Sequence, residues 1–293
     1  MNEPLLSILI PAYSYPAGVA RILGGLGQFD QALVEILIFD DSPDEAVGSV
    51  LRQDHLNEIH YRHNEPPLGA PSNWNALLDA AKGRYCLLIH HDELPLSPNF
   101  VSRILVKLKE SATTDVLLLD CILIEPKNGR NRRHVPTWLR KWVVAHAPAY
   151  LLRRNVLGPV SVMVARRAIY PRFDSQLRWL VDVDIYLRLF QMRPQIATCA
   201  DICVGSILGR TESITAKLGS AVARIADQER QYLLEKHGKL AYWCSRAPSR
   251  RPWLLLEQTA WLVMRVLLRA VDWIPPFPRS VAQAAVGRVY PAS

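Results

Sequence analysis

The feature that most constrains the fold is the regular alternation of apolar runs and helical patterns over the first 125 residues. Between the runs, apolar residues recur at helical spacing, as in Val19, Leu23 and Leu26, and Ser72 and Gly83 bracket a helix as cap residues. The apolar runs of strand length span residues 5–13, 34–42, 58–64, 84–92 and 115–125. This alternation predicts an α/β protein, with a mostly parallel sheet flanked by helices on both faces.

The regularity fades after residue 125. We predict helices at 137–152, 178–192 and 213–238, and one strand within 158–170. The chain then divides into an α/β domain, 1–212, and a C-terminal helical region, 213–293. The stretch "RPWLLLEQTAWLVMRVLLRAVDWIPPFP" has a wide apolar arc and a narrow charged stripe. Such a segment lies in a membrane interface or packs against the domain or a second subunit.

The charge balance is basic, with a net charge of +8 and a pI of about 9.4, which suggests an anionic partner. Residues 127–141 hold six Lys and Arg and no acid. This stretch is either a solvated loop or an acceptor face for a lipid-linked diphosphate or an anionic bilayer. A nucleic acid is not expected, because no reading motif is present and only Trp138 and Trp142 accompany the cations.

Targeting and redox signals point to a cytoplasmic protein. The segment "MNEPLLSILIPAY" lacks a basic region ahead of its apolar run, unlike a signal peptide. About eighteen uncharged residues in a row would predict a membrane span, and no such run occurs. The five cysteines form no CxxC pair, so we expect buried thiols rather than disulfides or a zinc site. We expect the protein in the cytoplasm, with the inner face of the cell membrane as a second location.

Three of the predicted strands end in conspicuous polar groups. These are Pro11-Ala12-Tyr13, Asp40-Asp41-Ser42 and His90-His91-Asp92-Glu93. In parallel sheets, ligands bind beyond the carboxyl ends of the strands. An aspartate that caps the next helix explains Asp41 alone, but not all three groups together. The sequence therefore predicts a ligand site at this edge.

The order and spacing of four segments resemble a known family. "SILIPAY", "EILIFDDS", "NEPPLGAPSNWNALLDAAKGRYCLLIHHDELPLSPNFV" and "VDVDIYLRL" together resemble an inverting glycosyltransferase of family 2 with the GT-A fold, a Rossmann-like architecture, over residues 5–210. The resemblance implies a hexosyl- or deoxyhexosyltransferase of cell-surface polysaccharide synthesis. Its donor would be a nucleotide-diphosphate sugar, with UDP or dTDP favoured, and its acceptor a glycan or lipid-linked saccharide.

The resemblance also implies donor-binding residues. Pro11 and Tyr13 correspond to the loop that packs on the nucleobase, and Asp41 to the aspartate that hydrogen-bonds the base. Asp40 precedes it and orders the loop. Asn75 lies where members commonly carry an Arg-Asn pair, although Trp74 here replaces the arginine. Arg210, in "GSILGRTESIT", is the predicted phosphate contact.

The His-His-Asp-Glu segment occupies the place of the family's Asp-x-Asp metal motif. The resemblance implies that Asp92 and His90 bind Mn²⁺ or Mg²⁺, and that His91 and Asp92 contact the donor. Such a cation neutralises the diphosphate as it leaves, and imidazole suits Mn²⁺ better than Mg²⁺. A histidine at the first acidic position departs from the motif, and the histidines would otherwise only end the strand and hydrogen-bond nearby loops.

Asp182 corresponds to the catalytic base, which removes the proton from the acceptor hydroxyl. Its acidic neighbour in the family is replaced by Val181, and capping of the helix that follows is the alternative role for Asp182. The departures at His90, Trp74 and Val181 leave a second function open, that of a catalytically impaired relative that binds nucleotide or glycan as an assembly partner. A nucleotidyltransferase is disfavoured, because the first strand lacks a Gly-rich, basic loop for a triphosphate.

Overall fold

A computed structural model describes residues 3–53, 59–125, 130–208 and 219–238. Nine strands form one mixed sheet in these residues. They are β1 (Leu6–Ala12), β2 (Val34–Asp40), β3 (Ile59–His63), β4 (Tyr85–Leu88), β5 (Glu93–Pro95), β6 (Val116–Glu125), β7 (Arg130–Arg133), β8 (Met163–Arg166) and β9 (Ile196–Ile207).

Seven α-helices accompany the sheet in the described residues. They are α1 (Pro16–Leu26), α2 (Ala46–Gln53), α3 (Ala70–Ala80), α4 (Phe100–Glu110), α5 (Thr137–His146), α6 (Val181–Gln191) and α7 (Val222–His237). Short 3-10 turns join several of them, including Pro148–Leu152 between α5 and β8. The expected α/β architecture with a C-terminal helix is therefore confirmed.

The strand order is β3-β2-β1-β4-β8-β6-β9-β5, and β7 pairs with the outer part of β6. The first four strands are parallel, as the alternating pattern predicts. The second half is mixed: β8 runs antiparallel to both β4 and β6, while β6 and β9 are parallel. In the parallel half, Ala12 lies opposite Asp40, and the Ile89 N–H donates to the Leu9 carbonyl, so β1, β2 and β4 end at one edge.

The core lies on both faces of the sheet because successive strand residues point to opposite sides. On β1, Leu9 joins a cluster with residues of α3, α5 and α6, while Ile8 and Ile10 join a cluster with residues of α1 and α4. The result is a three-layer sandwich whose central strands are buried throughout. This rigid frame fixes where the loops at the carboxyl edge lie.

Some basic residues of the stretch 127–141 form ion pairs inside the protein. Arg140 is fully buried and donates to the carboxylate of the buried Asp120 over 3.0 Å and to the Leu157 carbonyl over 3.1 Å. Arg133 pairs with the same carboxylate. A buried carboxylate requires such partners, since an unpaired buried charge is costly. Two of the six basic residues are therefore structural, which corrects an interpretation of the whole stretch as a solvated loop or an acceptor face.

Three further expectations from the sequence concern the cysteines, membrane-spanning helices and the C-terminal region. The four described cysteines are free, and Cys86, Cys121 and Cys199 are buried. Among the described helices, none has the length and apolar character that a bilayer crossing needs. The apolar stretch from Arg251 onward lies outside the described residues, as does the proposed domain boundary at 212/213. The boundary and the role of the apolar stretch stay predictions.

Candidate functional site

A cavity of about 600 Å³ opens at the carboxyl ends of β1, β2 and β4. Its volume is in the usual range for small-molecule sites. Seven of the predicted site residues line it, namely Pro11, Tyr13, Asp41, His90, His91, Asp92 and Asp182. Four separate segments thus meet at one place, which is the convergence that the polar strand ends predict.

Asp41 is fixed by hydrogen bonds from the loop between β3 and α3. It is 5% exposed, and its Oδ1 accepts the Asn64 side-chain amide at 2.7 Å and the Leu68 N–H at 3.1 Å. Asn73 accepts a second bond from Asn64 and donates to the Phe39 carbonyl. Within the described residues, Oδ2 of Asp41 accepts no hydrogen bond. One carboxylate oxygen is therefore held in place, and the other can accept a ligand N–H.

Asp40 does not line the cavity, which corrects its assignment as a donor contact. It is fully buried, and its carboxylate accepts the Ser42 N–H at 2.9 Å, the Ser42 hydroxyl, and the Tyr61 hydroxyl at 3.0 Å. Ser42 in turn accepts the Ser14 N–H at 2.7 Å. Asp40 thus ties together the loops after β1 and β2, in agreement with the loop-ordering role that the sequence suggested.

Asn75 is likewise structural. Its side-chain amide donates to the Phe173 carbonyl at 2.9 Å and accepts the Phe173 N–H at 2.7 Å, so it pins the segment before α6 to α3. Asn75 is not among the residues that line the cavity, and its donor contact stays a prediction. Arg210 lies outside the described residues, and its phosphate contact stays a prediction.

The His90–Glu93 segment forms a tight turn after β4. Glu93 is buried and accepts the His90 N–H at 2.9 Å, and its other oxygen lies 3.3 Å from His90 Nδ1. Trp74, the residue in place of the family's arginine, packs edge-on against the His90 ring with centroids 4.6 Å apart. Two departures from the family pattern are thus in direct contact.

The pKa of His90 is shifted by the charged groups around it. Burial opposes its protonation, but Glu93, Asp182 and Asp92 outweigh burial and raise the pKa of His90 to about 9. Its Nε2 is buried and has no hydrogen-bond partner among the described residues. A pKa above neutrality favours the imidazolium form of His90 at pH 7, in which Nε2 offers an N–H to an acceptor on a ligand.

The His91 carbonyl packs tightly against α1. A Cβ atom added at Gly18 would lie 2.4 Å from the His91 carbonyl oxygen and 2.2 Å from the Tyr15 ring. The Tyr15 and His91 rings meet edge-on, with centroids 5.8 Å apart. Only glycine allows this approach, so α1 fixes the position of the turn.

Asp182 lies in the first turn of α6, where the helix dipole favours a negative charge. Burial raises the pKa of Asp182 most, His90 lowers it, and Glu93 and Asp92 raise it further, to about 7. A carboxylate with that pKa is suited to accept a proton near neutral pH. Its role as the base stays a prediction.

The segment just before α6 is held by a residue that sequence reasoning missed. Glu229 of α7 accepts the backbone N–H groups of Arg178, Trp179 and Leu180 at 2.6, 2.9 and 2.7 Å. Arg178, Trp179 and Leu180 all line the cavity. No local pattern links residue 229 to residue 178, so only the tertiary structure exposes this contact.

The side chains at the turn offer few ligands to a divalent cation. The described residues contain no group of three or more His, Cys, Asp or Glu side chains that could enclose an ion. Asp92 lines the cavity and supplies an oxygen ligand, whereas an imidazolium at His90 has no lone pair to offer. Asp92 would be the protein ligand of a divalent cation whose remaining ligands came from a bound molecule, and His90 would qualify only when deprotonated.

These features agree with a family assignment. The family description "Glycosyl transferase family 2" matches residues 7–175, more than half of the chain. The chain belongs to glycosyl transferase family 2. The resemblance seen in the sequence motifs is thereby confirmed.

Two curated relatives are similar in sequence. An uncharacterized protein of Mycobacterium tuberculosis is 25% identical over 204 residues, which cover 64% of this chain and 62% of that protein. WcaA of Escherichia coli, described as a candidate colanic acid biosynthesis glycosyl transferase, is 24% identical over 190 residues, which cover 64% and 67%. The match thus spans about two thirds of the length of each relative.

Solved structures share the fold. Staphylococcus aureus TarS 1-349, solved with UDP-GlcNAc, superposes with a TM-score of 0.54 at 16% identity, over 71% of this chain and 60% of that one. The mannosyltransferase PcManGT of Pyrobaculum calidifontis, solved with GDP-Man and Mn²⁺, gives 0.53 at 12% identity, over 100% and 89%. These similarities establish the GT-A type of fold.

Proposed function

We propose that this protein transfers a sugar from a nucleotide-diphosphate donor to a glycan or lipid-linked saccharide acceptor, with inversion at the anomeric carbon. The observation that carries the proposal is the convergence of Asp41, Asp92 and Asp182 on one cavity. The nucleotide sugars bound by the structural neighbours, UDP-GlcNAc and GDP-Man, support this class of donor. A UDP or dTDP sugar is the donor we favour, used in cell-surface polysaccharide synthesis.

Each group has a defined part in the reaction. Oδ2 of Asp41 accepts an N–H of the nucleobase, and Pro11 and Tyr13 pack on its ring. Asp182 removes the proton from the acceptor hydroxyl, and that oxygen attacks the anomeric carbon. The bond from the anomeric carbon to the diphosphate oxygen breaks, and its electron pair stays on the diphosphate. Attack from the side opposite the leaving group inverts the configuration.

The departing diphosphate needs positive charge beside it. The His90 imidazolium supplies one charge and one N–H from the cavity wall. Asp92 would hold Mn²⁺ or Mg²⁺, which when bound neutralises charge on the phosphates. His91, next to Asp92 in the same turn, is a further donor contact in this arrangement.

The test is transfer by Asp182→Asn, which keeps the shape of the side chain and removes its basicity. Transfer from the preferred sugar nucleotide should fall about 10²- to 10⁴-fold, while nucleotide binding is retained. Asp227→Asn, on the exposed side of α7, is the matched control and should transfer at the wild-type rate. Equal activity in the Asp182→Asn and wild-type proteins would exclude this mechanism.

The same test separates a second candidate, a catalytically impaired relative that binds nucleotide or glycan in an assembly. The departures at His90, Trp74 and Val181 favour it. It predicts nucleotide binding by the wild-type protein without transfer to any glycan acceptor. An impaired relative would therefore bind nucleotide as the transferase does, but it would transfer no sugar.

We also propose contact with an anionic membrane surface through α5, at the inner face of the cell membrane. Trp138 and Trp142 lie one turn apart, 62% and 38% exposed, with Lys141 exposed beside them. Residues 126–173 contain no Asp or Glu, so this part of the chain complements a negative surface. Tryptophan flanked by cations is typical of a membrane interface.

Vesicle sedimentation tests this contact. The wild-type protein should sediment with vesicles that contain anionic phospholipid, and the double variant Trp138→Ala/Trp142→Ala should remain in the supernatant. Val106→Ala, which alters an exposed apolar residue of α4, is the control and should sediment like the wild type. Equal sedimentation of all three proteins would exclude α5 as the contact.

A further inference from the structure

Glu229 is a buried carboxylate that the proposed chemistry does not use. It lies on α7, outside the part of the chain that matches the family, and is 7% exposed. Its two oxygens accept three consecutive backbone N–H groups, those of residues 178–180. Burying a carboxylate is costly unless such donors compensate, so this contact holds α7 and the segment before α6 in one arrangement.

The segment that Glu229 holds belongs to the cavity wall. Leu180 is the N-cap residue that precedes α6, and its own side chain forms no capping hydrogen bond. Asp182 follows two residues later in the first turn. The position of Asp182 therefore depends on backbone atoms that Glu229 fixes from another helix.

The attachment of α7 does not depend on Glu229 alone. Leu233 is fully buried in the core, and the Arg230 side chain donates to the Leu152 carbonyl at 2.9 Å. Tyr232 donates to Asp174 at 2.7 Å, and His237 lies 2.9 Å from Asp184. These contacts anchor α7 over the two turns that follow Glu229. Removing the carboxylate charge should therefore leave the helix docked.

We propose that Glu229 is a positioning residue of the active site, which sets the backbone before α6 so that Asp182 meets the acceptor hydroxyl. This proposal rests on the proposed function and deepens it. Helix α7 is then a part of the catalytic unit rather than an appendage. Misplacing a reacting group by about 1 Å can cost as much as 10²-fold in rate, so the effect should be on turnover.

The experiment compares three single variants. Glu229→Gln keeps the side-chain shape but presents an amide NH₂ to backbone donors, so at least one hydrogen bond is lost. Glu235→Gln makes the same change at an exposed position of the same helix. Tyr232→Phe weakens the docking of α7 without touching residues 178–180. For each protein we would measure kcat, KM for the donor, the thermal midpoint, and hydrogen exchange of a peptide covering residues 178–180.

We expect Glu229→Gln to lower kcat at least tenfold, to change the donor KM less than threefold, and to speed exchange at residues 178–180. Glu235→Gln should match the wild type in all four measurements, and Tyr232→Phe should lower only the midpoint. The proposal is overturned if folded Glu229→Gln keeps kcat within twofold of the wild type. It is also overturned if kcat falls equally in Glu229→Gln and Tyr232→Phe.

Failure of the proposed function has a different signature. If the wild-type protein binds nucleotide but transfers no sugar, the transferase function is wrong, whatever Glu229 does. Hydrogen exchange then decides whether Glu229 positions the cavity wall. Faster exchange at residues 178–180 in Glu229→Gln supports that role, and wild-type exchange rates overturn it.

Discussion

The two sides of the cavity differ in how their charged groups are satisfied. On one side, Asp41 matches the family pattern, and its Oδ1 is held by Asn64 and Leu68. On the other side, His90 and Trp74 depart from the pattern and contact each other, and His90 Nε2 is buried with no partner among the described residues. One side is prearranged by hydrogen bonds, and the other holds a histidine that is paired with Glu93 through Nδ1 but has no partner at Nε2.

This difference indicates which part of the site has diverged from the family pattern. Asp41 accepts hydrogen bonds from the loop after β3, and Asn73 of α3 links that loop to β2, so a change there would disturb several elements at once. The His90 side depends on one turn and on Trp74, with Glu93 as the internal counter-ion. We infer that base recognition follows the family, whereas the neutralisation of the leaving group in this chain relies partly on an imidazolium.

The largest expected effect is the pH dependence of transfer. Asp182 acts as a base only when deprotonated, and its pKa is about 7. The rate should therefore fall as pH decreases through 7, by about tenfold for each pH unit below it, or about 100-fold at pH 5. Initial rates between pH 5 and 9 check this. A rate that is flat from pH 5 to 7, with the protein still folded, would contradict Asp182 as the base.

The next largest effect is expected on nucleotide affinity, from a change at Asp41. Asp41→Ala removes the acceptor for the nucleobase and leaves the Asn64 amide and the Leu68 N–H without their partner. Nucleotide affinity should fall about 10- to 100-fold, since a charged hydrogen bond contributes roughly 1.5–3 kcal/mol. Calorimetric titration with the preferred nucleoside diphosphate measures it. Asp30→Ala, at an exposed turn, is the control. Unchanged affinity in Asp41→Ala would place the base elsewhere.

A smaller effect should appear on the divergent side. His90→Asp removes the imidazolium and adds a second carboxylate beside Asp92, as in the family motif. Transfer without added metal should fall severalfold, and the Mn²⁺ concentration for half-maximal rate should decrease, because two carboxylates suit a divalent cation better than one. His60→Asp, at an exposed position of β3, controls for a new surface charge. Identical metal dependence in His90→Asp and the wild type would mean that His90 does not substitute for the cation.

The smallest effect is on acid stability at the contact between α7 and the rest of the domain. Burial would raise the pKa of Asp174, but hydrogen bonds from Lys236, the Gln176 N–H and Tyr232 lower it to about 2. Because the folded pKa lies below the ordinary value, this stabilisation is present above about pH 4 and is lost as pH falls towards 2. Asp174→Asn should lower stability at pH 7 by on the order of 1 kcal/mol and flatten the decrease below pH 4. Urea unfolding at pH 7 and at pH 3 measures both effects. If the variant and the wild type lose the same stability between pH 7 and pH 3, this account is contradicted.

The sequence predicted the parallel half of the sheet because β1, β2 and β4 are buried, mainly apolar runs separated by helical patterns. The predicted cap residues Ser72 and Gly83 were wrong, since α3 spans Ala70–Ala80 between Gly69 and Ala81. It missed β5, which has only three residues, and β9, whose exposed positions and irregular pairing near Asp120 break the alternation. It also placed both Asp40 and Asp41 in the donor site, because they are adjacent residues at the end of the same predicted strand. Only the three-dimensional contacts show that Asp40 binds Ser42 and Tyr61, while Asp41 lines the cavity.

The site residues that the sequence predicted lie within short motifs. The supporting residues that it missed contact the site from distant parts of the chain. Asn64 and Asn73 act by fixing Asp41, and Glu229 acts on a backbone segment about 50 residues away. Such support residues carry no spacing signal, because their partners are set by packing. Pairing of Arg133 and Arg140 with Asp120 is hidden for the same reason.

The most direct test of the central claim is nucleotide binding, measured as the thermal midpoint of the wild-type protein with UDP, dTDP, GDP or CMP, each with and without Mn²⁺ or Mg²⁺. A ligand that binds only the folded chain raises the midpoint. We predict that one nucleoside diphosphate raises it without metal, and further with metal, and that Asp41→Ala loses most of both shifts. No shift with any nucleotide in any combination would contradict the assignment of this cavity as a nucleotide-sugar site.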